Sequence, residues 1–146
     1  MPPAAAIDFA KTTAEEMRNT GTTRVFLDCN AVGPATAKKI SQIIRQAGAI
    51  FIDGSIIGAP PGRRSPTRLY VSGQDAEQLT PLARPDLEIR PLGLKIGTAS
   101  SIKMFYAALT KGTMNLDTIV LMGAPGMQSD GWVKWKKSQR PLRMQA

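Results

Sequence analysis

Apolar positions recur first with the period of a helix and then in short unbroken runs. In residues 4–18, Ile7, Ala10, Ala14 and Met17 fall at i, i+3, i+7 and i+10, a single apolar stripe. Pro2 and Pro3 suit the start of that helix, and Gly21 lies just past its end. Val25-Phe26-Leu27, closed by Asp28, is a run of the kind found in buried strands. A second stripe, Ala37, Ile40, Ile44 and Ala47, runs between Pro34 and Gly48 and leaves Lys38, Lys39 and Arg45 for solvent. Ile50-Phe51-Ile52-Asp53 then repeats the strand signal.

Gly54, Gly58, Pro60, Pro61, Gly62 and Pro66 predict a loop over residues 54–66. Strands are predicted over 68–72 and 87–90, with a short helix over 75–82 between them. From 98 to 122 the pattern is helical, with Ile102, Phe105, Leu109, Leu116 and Val120 on one side. Gly112 weakens that helix by ~1 kcal/mol relative to Ala, and Gly123 and Pro125 end it. Helix–strand alternation with short apolar strands predicts a parallel α/β sheet. Beyond 126 the apolar period stops, and five basic residues follow Asp130 with no acidic one.

Composition narrows the chemistry. The chain has 146 residues, one Cys and no His. Cys-cluster metal sites, an internal disulfide, and nucleophiles paired with His are excluded, and no metal site is expected. Proton transfer must fall to Lys, Asp, Glu, Tyr or water. A net charge of +8 favours anionic partners without choosing among them. No apolar run approaches the ~20 residues of a membrane span, and no secretion signal opens the chain, so a cytoplasmic protein is the expectation.

Several phrases resemble the 3-hydroxyisobutyrate and 6-phosphogluconate dehydrogenase-like superfamily, in order and spacing over roughly residues 2–122. They are Pro2-Pro3-Ala4-Ala5, Asp28-Cys29-Asn30-Ala31-Val32-Gly33-Pro34, Phe51-Ile52-Asp53-Gly54-Ser55-Ile56-Ile57-Gly58, Thr67-Arg68-Leu69-Tyr70-Val71-Ser72-Gly73 and Ala99-Ser100-Ser101-Ile102-Lys103-Met104. The resemblance implies the C-terminal half of a Rossmann-type α/β sheet over 1–96 and a long interdomain helix over 97–123. Residues 124–146 are then a divergent basic tail, expected to be disordered. Complete members open on a G-x-G-x-x-G phosphate loop; this sequence has none. The chain therefore reads as a member truncated at both ends and inactive alone.

By the same resemblance, Lys103 is the acid/base of a hydride transfer to or from NADP or NAD. Such a lysine exchanges a proton with a substrate oxygen. Pro2, Pro3, Asn30 and Ala31 fall at cofactor-binding positions. Ile57, Gly58 and Ala107 fall where the superfamily holds its substrate with Ser, Gly and Asn, and Asn30 replaces a hydroxyl residue. Two of the three substrate positions thus depart from the pattern, so small hydroxy-acid substrates are not implied. The long helix implies a homodimer.

From the residues alone, Lys103 also reads as a solvated helix lysine, and Asn30 with Gly33 as a helix-capping turn before Pro34. Asp28 and Asp53 read as strand-end residues bonding nearby amides. Arg63, Arg64 and Arg68 read as a solvated loop or an anion grip. The other function class is a non-catalytic basic module that binds nucleic acid or a protein subunit through the tail after Trp132; nucleic acid is the less expected partner, and no membrane is.

Overall fold

The computed structural model describes residues 2–22, 24–58, 60 and 65–123; the basic tail and the arginines at 63 and 64 lie outside them. A 3₁₀ turn, Pro3–Ala5, leads into α1, Ala6–Thr20, which Gly21 ends in a left-handed conformation (φ 61°). Strand β1, Val25–Asp28, precedes α2, Pro34–Gln46, whose first residue is preceded by an extended Gly33. Alanines face alanine and isoleucine between these helices: Ala6, Ala10 and Ala14 of α1 and Ala37, Ile40 and Ile44 of α2 are all buried. The three alanines of α1 leave room for the isoleucines of α2. Phe51 closes this core from below, stacked on Phe26 with ring centroids 6.1 Å apart.

The sheet contains β1, β2 (Ile50–Ile57), β3 (Thr67–Ser72) and β4 (Leu87–Pro91), in that spatial order. Alternation along β2 sends Phe51 to the helix-covered face and Ile52 to the other. There Ile52, Leu69, Val71 and Ile89 pack beneath a 3₁₀ segment, Ala76–Leu82, through Ala76 and Leu79.

Three expectations need correction. The sheet is mixed: β1–β2 and β3–β4 are parallel, but β2–β3 is antiparallel, pairing Asp53 with Ser72 and Ile57 with Arg68. The predicted loop at 54 begins only after Ile57, because Gly54 serves close strand packing rather than a turn and Ile56-Ile57 suit a strand. Strand β1 is only half-buried; at the sheet edge it leaves Val25 and Leu27 exposed, while Phe26 and Asp28 turn inward.

The chain divides into two compact units, one ending at Tyr106 and one beginning at Ala107. The helix α3, Thr98–Gly123, starts in the first unit and ends in the second. In the first unit Ala99 and Ser100 are buried while Phe105 is 75% exposed. In the second, Leu109 and Leu116 are exposed, so these members of the predicted apolar stripe do not form a buried face.

Candidate functional site

The carboxyl end of β1 is built around a buried acid. Asp28 is 3% exposed, and its Oδ1 accepts the backbone N–H of Asn30 at 3.0 Å and the Asn30 side-chain Nδ2 at 2.6 Å. A carboxylate only accepts, so the Asn30 amide must turn its NH₂ inward and keep its Oδ1 available for a donor. The second Asp28 oxygen, Oδ2, is buried without a hydrogen-bond partner among the described residues. A buried, half-satisfied carboxylate is costly to maintain, and such positions concentrate at sites that meet another group.

Between these residues sits Cys29, packed so closely that a Cβ on Gly54 would lie 2.8 Å from its Sγ. Burial pushes its thiol up to about 11, aided by the negative charge of Asp28 and opposed by Lys103. At neutral pH it is a thiolate in only a small fraction, a slow nucleophile rather than a catalytic one.

A second buried acid, Asp53 of β2, lies opposite Asp28 in the register and is 1% exposed. Its Oδ2 accepts from Ser72 Oγ (3.0 Å), Gly97 N (2.9 Å) and Ser100 N (3.1 Å), and its Oδ1 from Ser100 Oγ (2.5 Å). The Gly97 and Ser100 N–H groups belong to the otherwise unpaired amides at the start of α3, and the carboxylate caps them from another element. Ser72 Oγ also accepts the Ala99 N–H, and Ser55 Oγ donates to the Ala99 carbonyl. Gly97, at φ +96°, lies against Pro34, where a Cβ would be 3.1 Å from the proline ring. The sequence pattern makes Asp53 a strand-end residue bonding nearby amides; its partners instead lie 19, 44 and 47 residues away, and although Ser72 and Ser100 stand in the phrases that carry the resemblance, no periodicity pairs them with Asp53.

From this anchored turn, Lys103 extends across to β1, its Nζ donating to the Cys29 carbonyl at 3.4 Å. Lys103, Cys29 and Asn30 are thereby brought to one place, with the Asp28 carboxylate behind them.

The other predicted positions lie elsewhere. Ala31 continues the same turn, but Ile57 and Gly58 lie four and five residues past Asp53 along β2, ~13 Å or more beyond the level of Asp28 at strand rise. Pro2 accepts from Ala5 in the 3₁₀ turn that Pro3 opens, and no hydrogen bond among the described residues links either proline to Asn30. Ala107 opens the second unit. A cleft of about 270 Å³ between the starts of α2 and α3 is lined by Pro34, Lys38, Lys95, Ser101 and Phe105, and neither Asn30 nor Lys103 lines it. Among the described residues no cluster of His, Cys, Asp or Glu could hold a metal ion, and no helix is long and apolar enough to cross a membrane.

No family model matches the chain. An uncharacterized 28.5 kDa protein in the 7S RNA 5′ region of Methanothermus fervidus is 30% identical over 109 residues, 75% of this chain and 39% of that protein. A conserved protein of unknown function, whose structure is described as similar to 3-hydroxyacid dehydrogenases, matches 88% of this chain and 48% of its own, at 30% identity and TM-score 0.64. An imine reductase from Myxococcus stipitatus in complex with NADP+ matches 81% of this chain and 43% of its own; at 22% identity and TM-score 0.68 it is a likeness of fold. The chain is structurally similar to 3-hydroxyacid dehydrogenase-like and imine reductase proteins, spanning about half of their length or less.

Proposed function

We propose that the chain forms part of an oxidoreductase that uses NADP or NAD, with its reaction centre at the carboxyl end of β1 and Lys103 as the acid/base. The observation that carries this is the contact of Lys103 Nζ with the Cys29 carbonyl, which joins positions 74 residues apart beside Asn30. Strand carboxyl ends are where ligands gather in open α/β sheets.

The residues fit a nicotinamide carboxamide and a carbonyl or hydroxyl substrate. Asn30 Oδ1 is an open acceptor for an amide, and an ammonium can exchange a proton with a substrate oxygen. Bound nicotinamide nucleotide would supply the hydride chemistry. Asp28 orients Asn30, and the α3 anchor holds Lys103 in reach. The sequence has no G-x-G-x-x-G for the pyrophosphate, so the proposal is for a part of such an enzyme and not for turnover by this chain alone. Nucleotide binding by the chain alone should be weak, roughly millimolar.

The test is a titration of the full chain with NADPH, followed by amide chemical shifts. Asn30, Ala31 and Lys103 are expected to shift first, and Asn30→Ala should weaken binding about fivefold, the worth of one hydrogen bond of ~1 kcal/mol. Shifts that bypass the end of β1, or an Asn30→Ala chain that saturates like the parent, overturn the reading.

A further inference from the structure

We propose that Asp53 is a positioning residue, which fixes the first turn of α3 and thereby the reach of Lys103 to the end of β1. This rests on the reading of Lys103 as the proton-handling group.

The argument is one of helix geometry. Lys103 shares a helix face with the residues three and four before it, Ser100 and Ala99. Both are clamped to the sheet. Ser100 gives its N–H and its hydroxyl to Asp53. Ala99 gives its N–H to Ser72 Oγ, whose own proton goes to Asp53, and its carbonyl takes the Ser55 hydroxyl. The azimuth of α3 is therefore set at the turn from which the lysine stem rises. Gly97 N fixes the axial position through the same carboxylate.

Register completes the arrangement. Asp53 pairs with Asp28 across β1 and β2, so the anchor lies level with the strand end that Lys103 must meet. Four donors occupy the Asp53 oxygens. It has no open side for a substrate and acts only through the helix. A carboxylate under a helix N-terminus is also held there by the helix dipole.

Cys29 is the only cysteine of the chain, and its backbone carbonyl receives Lys103, so its thiol reports where the ammonium sits. The experiment is alkylation of the full chain by iodoacetamide between pH 7 and 9, where the rate follows the thiolate fraction. With Asp53 intact, Lys103→Met should slow alkylation about threefold, equivalent to half a pH unit from losing a nearby cation. In an Asp53→Ala background the same substitution should change the rate hardly at all, because the lysine is no longer held there. Asp53→Asn keeps an acceptor for the helix amides and should restore about half of the logarithmic difference. A threefold effect that persists in Asp53→Ala overturns the proposal, as does the absence of any Lys103→Met effect in the parent. If Asp53→Ala loses the parent far-ultraviolet circular dichroism, Ser100→Ala and Ser72→Ala replace it. Ser100→Ala removes one hydrogen bond of the anchor and Ser72→Ala two; a reduced Lys103→Met effect in them supports the proposal, and an unchanged one overturns it. No nucleotide is used, so failure here is separate from failure of the NADPH titration.

Discussion

The two edges of the sheet are made differently. On β4, Glu88 bridges two arginines, 3.3 Å from Arg68 Nε and 2.7 Å from Arg90 Nη2, and Pro91 closes the strand. On β1, the positions before Asp28 are Val25, Phe26 and Leu27, with Val25 45% and Leu27 36% exposed. Charge and proline on an edge oppose pairing with another chain; an apolar run invites it. The β4 edge is thus composed as an edge, whereas β1 has the composition of an interior strand. The candidate site lies at the carboxyl end of that second kind of strand, in a chain that spans 39% and 48% of two proteins it matches.

The sharpest way to break this comparison is at the seam that holds β1 to the sheet. A Cβ on Gly54 would meet Cys29 Sγ and Leu27 Cδ1 at 2.8 Å and the Asp28 carbonyl at 3.2 Å. Gly54→Val should therefore cost about 3 kcal/mol in urea unfolding, the upper range for overpacking against backbone. It should also broaden the Asn30 and Lys103 amide signals first. A loss below about 1 kcal/mol would mean that β1 is loosely attached and the site at its end not preorganised.

Gly54 also shows where sequence reading succeeds and where it stops. Among the described residues, periodicity and short apolar runs locate the helices and strand cores, because burial of one face is a local demand: Ala37, Ile40 and Ile44 are buried as their spacing implies. Glycine is ambiguous, since one residue type serves turns and close strand approach alike, so a loop expected from Gly54 stops β2 four residues short of Ile57. The direction of β3 was equally illegible, because alternation is the same in parallel and antiparallel strands. Asp28 was readable as a strand-end acceptor, its donors being two residues away. The role of Asp53 was not, since Gly97 and Ser100 reach it only through the tertiary fold. Exposed Leu109 and Leu116 show the converse: a helical stripe says that a face is apolar, not what covers it.

The edge itself gives a smaller effect. Leu27→Lys places a charge on exposed β1 without touching the core of Phe51 and Ile44. Self-association at micromolar concentration, followed by sedimentation velocity, should weaken about tenfold, or ~1.4 kcal/mol. Unfolding free energy should fall by about 1 kcal/mol, because Leu27 is only partly exposed and packs over Gly54. Association that is indifferent to Leu27→Lys would remove β1 as the adhesive edge.

The smallest effect is expected on β4, and its sign can be worked out. A hydrogen bond from Arg90, followed by the charges of Arg90 and Arg68, holds the Glu88 carboxyl below its ordinary value of 4.5. A group whose pKa is depressed by folding stabilises the fold above its unfolded pKa, and that contribution disappears as pH falls through the folded value. Glu88→Gln should thus melt marginally below the parent at pH 7 and coincide with it once the parent carboxyl is protonated. Salt should shrink the difference, because the pair is exposed to solvent and screened. Self-association should not rise, since Arg90 still charges the edge and Arg68 of neighbouring β3 lies beside it. If Glu88→Gln instead promotes association as strongly as Leu27→Lys relieves it, edge behaviour depends on net neutrality rather than on the presence of charge, and the contrast between β1 and β4 must be redrawn in those terms.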